Sequence, residues 1–378
     1  MKTITNPFIV SGYIPEKYFC DRDKETQWIL RHIASQEHVL LMSQRRMGKT
    51  KLIEHCFENA DIQKNYITLA IDILHTTTFR EFVQQLGNVV YDTIAKRSAK
   101  MMKLFTSTLR SLSCCFGYDP VQNTPTFDIK LGDISAPDYT LKEIFDVVEN
   151  ADKRCIIVID EFQQVAKYPE KNAEALLRSH IQHLNNVNFV FCGSQRRLME
   201  SMFFSEKRPF YMSARSIVLE PISREDYQSF AIRQFKDFDK SIAPDAVVAV
   251  YDALGGVTLY LQRIMKDAFN ITPTGEQCGV ETVKELMSDY IQECDTRFRE
   301  QLAFISETQK ELLYAVFEEG TPVAGITSAK FMKRHRLKSA SSVQAAAKKL
   351  LEYDVLTRSE GSYSVADPLL ALWLRTRR

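Results

Sequence analysis

The sequence predicts an α/β fold: a parallel sheet covered by helices on both faces, followed by a helical domain and a small C-terminal domain. Short apolar runs typical of buried strands alternate with amphipathic helical segments in the first part of the chain, and this alternation is typical of parallel sheets. The segments that follow are helical almost throughout. We therefore divide the chain into a core at 1–222 with an insertion at about 111–140, a helical lid at 223–300, and a C-terminal domain at 301–378.

The composition is that of an ordinary globular protein of 378 residues, long enough for two or three domains. The net charge of +1 neither favours nor excludes nucleic acid, so any basic surface must be local. The eight cysteines include no C-x-x-C pair, which excludes the common zinc and redox motifs and fits a reducing compartment. The N-terminus lacks a signal-peptide pattern, and no apolar run approaches the ~20 residues that span a bilayer. We expect a cytoplasmic protein without a membrane partner.

The strongest local signal is the segment HVLLMSQRRMGKTK at 38–51. An apolar strand leads into a loop, and an amphipathic helix follows at once. The loop approaches the pattern G-x-x-x-x-G-K-[ST], with Ser43 at the first glycine position. Backbone N–H groups of such a loop hold a polyphosphate, Lys49 reaches its outer phosphates, and the Thr50 hydroxyl holds Mg²⁺. The alternative is a basic surface turn between a strand and a helix.

The loop predicts a P-loop NTPase core, a three-layer sandwich with a parallel sheet, and ATP with Mg²⁺ as its ligands. The loop residues expected to bind the nucleotide are Ser43, Gln44, Arg45, Arg46, Met47, Gly48, Lys49, Thr50 and Lys51.

A second signal is the segment CIIVIDEFQQV at 155–165, an apolar strand that ends in two acids. Buried acids are unfavourable unless they have a partner or a function. In P-loop ATPases the first such acid binds the Mg²⁺ shell and the next polarises the attacking water. Asp160 and Glu161 match these roles in order, and the alternative is a pair of structural acids.

A further buried strand in the segment NVNFVFCGSQRRLMESMF, 186–203, ends at Ser194, our first choice for a side chain that senses the γ-phosphate. Gln195 is the second choice. A fifth strand is predicted near 216–220, and Arg215 before it is a candidate to neutralise transition-state charge, either in cis or from a neighbouring subunit. An ordinary surface ion pair is the alternative for this arginine.

Three residues outside these strands are candidates for contacts with the nucleotide. Tyr18 and Arg22 lie just upstream of the first helix, where an adenine pocket is expected in P-loop proteins. A helix-cap ion pair with core packing explains them equally well. Arg263, in the helix that begins near Thr258, is the candidate lid arginine, with a solvent-facing role as the alternative.

The C-terminal domain is predicted to be a winged helix, because three helical segments precede a hairpin around Gly361. Residues 301–378 contain twelve Lys and Arg against eight Asp and Glu, and KRHRLK at 333–338 supplies much of the excess. This charge favours phosphate contact. The third helix, however, is rich in alanine and poor in groups that read base edges. DNA contact and protein packing both stay open.

Together these motifs resemble the prokaryotic archaeal-type P-loop ATPase family, which is close to the AAA+ and STAND proteins. The segments that carry the resemblance are YFCDRDKET, SQRRMGKT, IIVIDEFQQ, FVFCGSQRRLMESMF, RPFYMSARSIVLEPI, LGGVTLYLQ and YSVADPLLALWL. The resemblance implies ATP binding, Mg²⁺-dependent hydrolysis and switching between nucleotide states. Thr258 stands where the family often has proline, which weakens the inference about the lid. Some members carry a nuclease-like domain after the winged helix, and we expect no nuclease activity here.

The function expected from the sequence is that of a slow, ATP-hydrolysing molecular switch. The alternative is a DNA-binding module with a structural nucleotide and negligible turnover. A small-molecule kinase is disfavoured by the long lid, the winged helix and the Asp-Glu pair. The pathway, the oligomeric state and any protein client are not determined by the sequence, and neither is the role of the insertion.

Overall fold

The computed structural model describes residues 5–112, 115–119, 124–127 and 129–377. The chain forms two compact units. The sheet unit is Arg22–Glu220, and the helical unit consists of the described residues before and after it.

The sheet unit contains eight helices and seven strands within the described residues. The helices are α1 Asp23–Ala34, α2 Lys49–Phe57, α3 Ala60–Asn65, α4 Phe79–Thr93, α5 Ala99–Thr108, α6 Pro137–Glu149, α7 Ala173–Ile181 and α8 Arg196–Phe204. The strands are β1 Val39–Ser43, β2 Tyr66–Asp72, β3 Phe116–Asp119, β4 Thr124–Phe127, β5 Arg154–Asp160, β6 Val187–Gly193 and β7 Arg215–Leu219.

Five of these strands form one parallel sheet in the order β2-β5-β6-β1-β7. All five residues of β1 and all seven of β6 are buried, as expected for central strands covered on both faces. Strand β6 lies between the strand that precedes the phosphate loop and the strand that ends in the two acids. The predicted α/β sandwich is therefore confirmed, and the carboxyl ends of β1, β5 and β6 meet at one edge of the sheet.

The predicted insertion at 111–140 contains an antiparallel hairpin of β3 and β4 and a short 3₁₀ turn, Leu131–Asp133. Residues 113–114, 120–123 and 128 lie outside the described residues. The buried Glu143 side chain on α6 accepts hydrogen bonds from the backbone N–H groups of Arg110 and Ser111, which fixes the entry to this segment.

The helical unit contains the remaining nine helices and two short two-stranded ladders. The helices are α9 Arg224–Lys236, α10 Pro244–Ala253, α11 Thr258–Ile271, α12 Val280–Glu293, α13 Asp295–Ala303, α14 Glu307–Glu318, α15 Ala329–Arg334, α16 Ala340–Glu352 and α17 Pro368–Arg375. The strands are β8 Ser241–Ile242, β9 Gln277–Cys278, β10 Leu356–Ser359 and β11 Ser362–Val365. In the described part of the chain, no helix is both long enough and apolar enough to cross a membrane.

The end of the helical unit is a winged helix, as predicted. Helices α14, α15 and α16 precede the antiparallel hairpin of β10 and β11. Its turn places Glu360 and Gly361 at positive φ, 47° and 85°, the pattern of a tight type I′ turn. The Tyr260 hydroxyl on α11 donates to Asp367 at 2.7 Å, so the lid and the winged helix are tied together inside one unit.

The N-terminal segment packs in the helical unit, which differs from its predicted place in the core at 1–222. Phe8 is fully buried, with its ring centroid 5.9 Å from that of Phe230, 5.6 Å from that of Phe235 and 6.1 Å from that of Phe269. The Asn6 amide also donates to the backbone carbonyl of Lys266 at 2.9 Å. These partners are more than 200 residues away, and no local pattern in the sequence indicates them.

Replacing Phe8 by alanine is expected to lower the free energy of unfolding of the helical unit by about 3–5 kcal/mol, because it leaves a cavity among three aromatic rings. Denaturant unfolding followed by circular dichroism measures this change. The matched control is Phe304→Ala, since Phe304 is 87% exposed and its removal should change stability by less than about 0.5 kcal/mol. Equal effects of the two variants would contradict the buried placement of Phe8.

Candidate functional site

The phosphate loop connects the end of β1 to the start of α2. Its positive φ angles fall on Arg46 (69°) and Gly48 (86°), whereas Ser43 is the last residue of β1 and pairs with Leu219. A serine at the first glycine position is therefore tolerated, because the left-handed backbone lies further along the loop. Gly48 precedes the first turn of α2 and has no side chain to cap it, so the N–H groups there suit an anion.

Lys49 is the charged residue at the centre of the site. Its side chain is buried, with Nζ 2.8 Å from Asp160 Oδ1 and 3.4 Å from Glu161 Oε1. Burial alone would lower the pKa of Lys49, but the charges of Asp160 and Glu161 outweigh it and the pKa is raised. The site therefore holds a fixed ammonium group next to two carboxylates.

Glu161 has an unusual backbone conformation with φ of 56°. A left-handed conformation costs about 1–2 kcal/mol for a residue with a side chain, so its surroundings must hold it there. The Glu161 N–H donates to Asp160 Oδ1 at 2.8 Å. The next residue, Phe162, is fully buried, 4.6 Å from Phe191 and 5.1 Å from Phe210 between ring centroids. The turn that carries the second acid is thereby anchored in the core.

The carboxylate of Glu161 accepts several hydrogen bonds. Ser194 Oγ donates to Oε2 at 2.6 Å, and Gln163 Nε2 donates to the same oxygen. Burial would raise the pKa of Glu161, but the charge of Lys49 and the hydrogen bonds from Ser194 and Gln163 lower it. The acid is therefore ionised and directed by at least three side chains.

Gln163 is a site residue that the sequence reasoning did not single out. It lies two positions after Glu161, in the short 3₁₀ segment Phe162–Lys167, and is 1% exposed. Gln163 and Gln164 both lie between the apolar residues Phe162 and Val165, and their position directly after the two acids is the signal that could have identified this pair.

Ser194 follows β6 directly, at the same edge of the sheet as the phosphate loop. The pairing of Met42 with Gly193 places the two strand ends side by side. The same four residues, SQRR, begin with the last residue of β1, at 43–46, and directly follow β6, at 194–197. All four arginines are exposed, and Arg196 forms an ion pair with Glu200 at 2.8 Å. Exposed guanidinium groups at this edge suit a polyphosphate.

Thr50 and Asp160 form the candidate Mg²⁺ site. Thr50 Oγ1 donates to Asp160 Oδ2 at 3.1 Å, so a hydroxyl and a carboxylate converge at the end of the loop. Hard oxygen donors of this kind fit Mg²⁺, which takes few protein ligands and completes its shell with water and phosphate oxygens. The described residues contain no cluster of three or more His, Cys, Asp and Glu that could hold a metal.

Arg215, predicted to act either in cis or from a neighbouring subunit, does not join this cluster. It begins β7 and pairs with Val39, at the amino end of the sheet, whereas the phosphate loop lies at the carboxyl end. Its guanidinium Nε donates to Glu37 Oε1 at 2.8 Å. A role for Arg215 in a neighbouring subunit stays a prediction.

The three predicted nucleotide contacts outside the loop are divided between the units, and their relation to the phosphate loop stays a prediction. Arg22 is 4% exposed in the sheet unit and donates through Nη1 to Glu25 Oε1 at 2.7 Å. Tyr18 ends a short 3₁₀ turn of the helical unit. Arg263 lies on α11, with Nε 3.3 Å from Asp267 Oδ2.

The comparisons with solved structures agree with this fold along nearly the whole chain. A Walker-type ATPase of Pyrococcus abyssi is 16% identical with a TM-score of 0.68, over 98% of this chain and 99% of the other. The ORC2 protein of Aeropyrum pernix, solved in ADPNP-ADP complexes, is 12% identical with a TM-score of 0.61, over 98% and 96%. The ORC1 protein of Aeropyrum pernix in complex with DNA is 12% identical with a TM-score of 0.51, over 98% and 96%.

Two family models match the sequence, and a search of curated proteins gave no match. Residues 296–376 match the model described as "Probable winged helix domain". Residues 19–264 match the model described as "ATPase domain predominantly from Archaea", which covers more than half of the chain and includes the phosphate loop and both acids. This protein therefore belongs to the family of ATPase domains found predominantly in Archaea.

Proposed function

We propose that the protein binds ATP with Mg²⁺ and hydrolyses it slowly, as a molecular switch. The observation that carries this proposal is the position of Lys49, between Asp160 and Glu161 at the end of the phosphate loop. An ammonium, a hydroxyl and two carboxylates at the carboxyl edge of a parallel sheet are the groups that phosphoryl transfer to water requires.

The proposed mechanism begins with an exchange of partners at Lys49. Its ammonium contacts the two acids and would turn to the outer phosphates, while the N–H groups of the first turn of α2 bind the same phosphates. Thr50 and Asp160 would hold Mg²⁺, whose charge offsets that of the phosphates. Glu161 would orient a water molecule and accept its proton as the water attacks the γ-phosphorus. The bond from that phosphorus to the bridging oxygen breaks, so that ADP leaves and inorganic phosphate forms.

Slow turnover is expected from the hydrogen bonds at Glu161. Its Oε2 accepts from Ser194 and Gln163, and its Oε1 faces Lys49 at 3.4 Å. Some of these contacts must change before the carboxylate can hold a water molecule. Ser194 would exchange Glu161 for the γ-phosphate, which gives the site two arrangements and makes it a switch. We expect a turnover well below ~1 s⁻¹.

The proposal is tested by measuring ATP binding and phosphate release on the full chain, with Mg²⁺ and with EDTA. We expect saturable ATP binding, and phosphate release that stops when Mg²⁺ is removed. GTP in place of ATP tests the base preference, since no guanine-reading motif is present in the sequence. Absence of ATP binding would overturn the proposal, and binding without Mg²⁺-dependent release would reduce it to a structural nucleotide site.

DNA contact is a second candidate function, and the winged helix supplies the observation that favours it. Lys333, Arg336 and Lys338 lie on α15 and in the turn before α16, are exposed, and form no ion pair with any residue that the structure describes. Three exposed cations in the segment that leads into α16 suit the phosphates of a duplex.

Reversing two of these charges, with Lys333→Glu and Lys338→Glu together, is expected to weaken duplex binding by tenfold or more. The slope of log affinity against log salt should fall by about 2, because each of the two lysines would no longer neutralise a phosphate. Fluorescence anisotropy at several salt concentrations, with and without ATP, measures both quantities. The control is the double variant Lys236→Glu, Lys284→Glu, which makes the same charge change on α9 and α12. An equal effect in the control would indicate non-specific attraction only.

A further inference from the structure

We infer that Gln163 is a positioning residue for Glu161 and that Gly193 provides the space in which its amide lies; this rests on the proposed ATPase function. Gln163 is 1% exposed, although it is polar. Its Nε2 donates to Glu161 Oε2 and lies 3.5 Å from Ser194 Oγ. One buried amide thus contacts both the acid proposed to activate water and the serine proposed to sense the phosphate.

The orientation of the amide follows from its neighbour. An ionised carboxylate only accepts hydrogen bonds, so the amide must present its NH₂ group to Glu161 and turn its oxygen away. That oxygen, Oε1, is buried and accepts no hydrogen bond from any residue in the described ranges. A buried amide oxygen without a donor destabilises the fold. An apolar side chain of the same size would avoid this cost, so stability does not explain a glutamine here, whereas the hydrogen bond to Glu161 does.

Gly193 explains how the amide fits at the end of β6. A Cβ atom built on Gly193 would lie 2.7 Å from Gln163 Oε1 and 2.5 Å from Met199 Cγ. Both distances are shorter than real Cβ contacts, so any larger residue would displace the amide or the methionine. The φ of Gly193 is not positive, so the requirement for glycine here is one of space.

Gln163 and Ser194 donate to the same oxygen, Glu161 Oε2, and this gives Gln163 a role that Ser194 cannot fill alone. If Ser194 turned from Glu161 to a phosphate oxygen, Glu161 Oε2 would lose its 2.6 Å hydrogen bond. The hydrogen bond from Gln163 would remain and keep the carboxylate pointing in the same direction. Gln163 therefore holds the acid in place during the step in which Ser194 changes partner.

The first test is Gln163→Met, which conserves the volume of the side chain and removes the amide donor. We expect kcat for phosphate release to fall about 10- to 100-fold, because a misplaced catalytic group lowers the rate by about this much. The Kd for ATP should stay unchanged within about twofold. In the Glu161→Gln background the same change should have no further effect on kcat, because there is no longer a carboxylate to position. Wild-type kcat in Gln163→Met, or an additive decrease in the double variant, would overturn the inference.

The second test is Gly193→Ala, which should displace the amide and show the same fall in kcat at an unchanged Kd for ATP. Its matched control is Gly132→Ala, since a Cβ there has no atom within 4 Å and φ is not positive. An equal fall in kcat in both glycine variants would overturn the role of Gly193.

Crystal structures of two variants give a readout that does not depend on turnover. Ser194→Ala removes the serine donor to Glu161 Oε2 and keeps the amide of Gln163, so we expect the carboxylate to keep its position. In the double variant Ser194→Ala, Gln163→Met both donors are lost, and the carboxylate should move towards Lys49. If the wild type released no phosphate, the proposed function would fail, and these structures would still decide the inference. A carboxylate that kept its position in the double variant would overturn it.

Discussion

Replacing Glu161 by glutamine is expected to reduce phosphate release by roughly 10²- to 10⁴-fold, the range of a general base, while ATP binding is retained. The glutamine keeps an oxygen that can accept from Ser194 and Gln163, so the local packing is preserved. Lys49 keeps Asp160 as its closer partner, at 2.8 Å. The variant therefore loses the charge that polarises water and little else. Single-turnover phosphate release and a fluorescence titration with ATP measure the two effects separately.

The control for this variant is Glu206→Gln, which makes the same chemical change at an exposed acid of the sheet unit. It should keep the wild-type rate and the wild-type Kd for ATP. Phosphate release by Glu161→Gln at the wild-type rate would show that another group activates the water. A loss of ATP binding in Glu161→Gln would instead show that Glu161 contributes to binding the nucleotide itself, and not only to the hydrolysis step.

The sequence was sufficient to predict the architecture because its strongest signals are local. The strand, loop and helix around Gly48 follow one another directly, and the acids at 160 and 161 end an apolar strand. Parallel strands bring their carboxyl ends to one edge, so the meeting of Lys49 with Asp160 and Glu161 followed from topology alone. The α/β sandwich, the winged helix and the family resemblance were confirmed for this reason.

What the sequence could not predict depends on contacts between distant residues. The space beside Gly193 matters only because Gln163, thirty residues earlier in the chain, turns its amide into it. Phe8 belongs to the helical unit because its aromatic partners come more than 200 residues later. Arg215 lies at the amino edge of the sheet because β7, which it begins, pairs in parallel with β1, more than 170 residues earlier in the chain.

Replacing Lys49 by alanine is expected to weaken ATP binding by about 30-fold to several thousand-fold, which corresponds to roughly 2–5 kcal/mol for truncating one partner of a buried charge pair. Its ammonium is buried beside two acids, so its removal leaves those acids to face the phosphates directly. Equilibrium titration with ATP and Mg²⁺ measures the change in Kd. The thermal shift by ATP measures it independently, since a ligand at 100 times its Kd stabilises by about 2.7 kcal/mol and the variant should lose most of that gain.

The control is Lys171→Ala, an exposed lysine of the same unit, which should bind ATP with the wild-type Kd.

A second measurement, the affinity of Lys49→Ala for Mg²⁺ alone, should change in the opposite direction. The ammonium of Lys49 lies 2.8 Å from Asp160 Oδ1, while Thr50 faces the other oxygen of the same carboxylate. Removing the ammonium takes a positive charge away from the proposed metal ligands, so Mg²⁺ alone should bind Lys49→Ala more tightly than the wild type. Suppose that Lys49→Ala bound ATP less tightly than the wild type but bound Mg²⁺ with the same affinity. The lysine would then bind phosphate without competing with Mg²⁺ for these acids. If it bound ATP like the wild type, Lys49 would not be the residue that holds the phosphates.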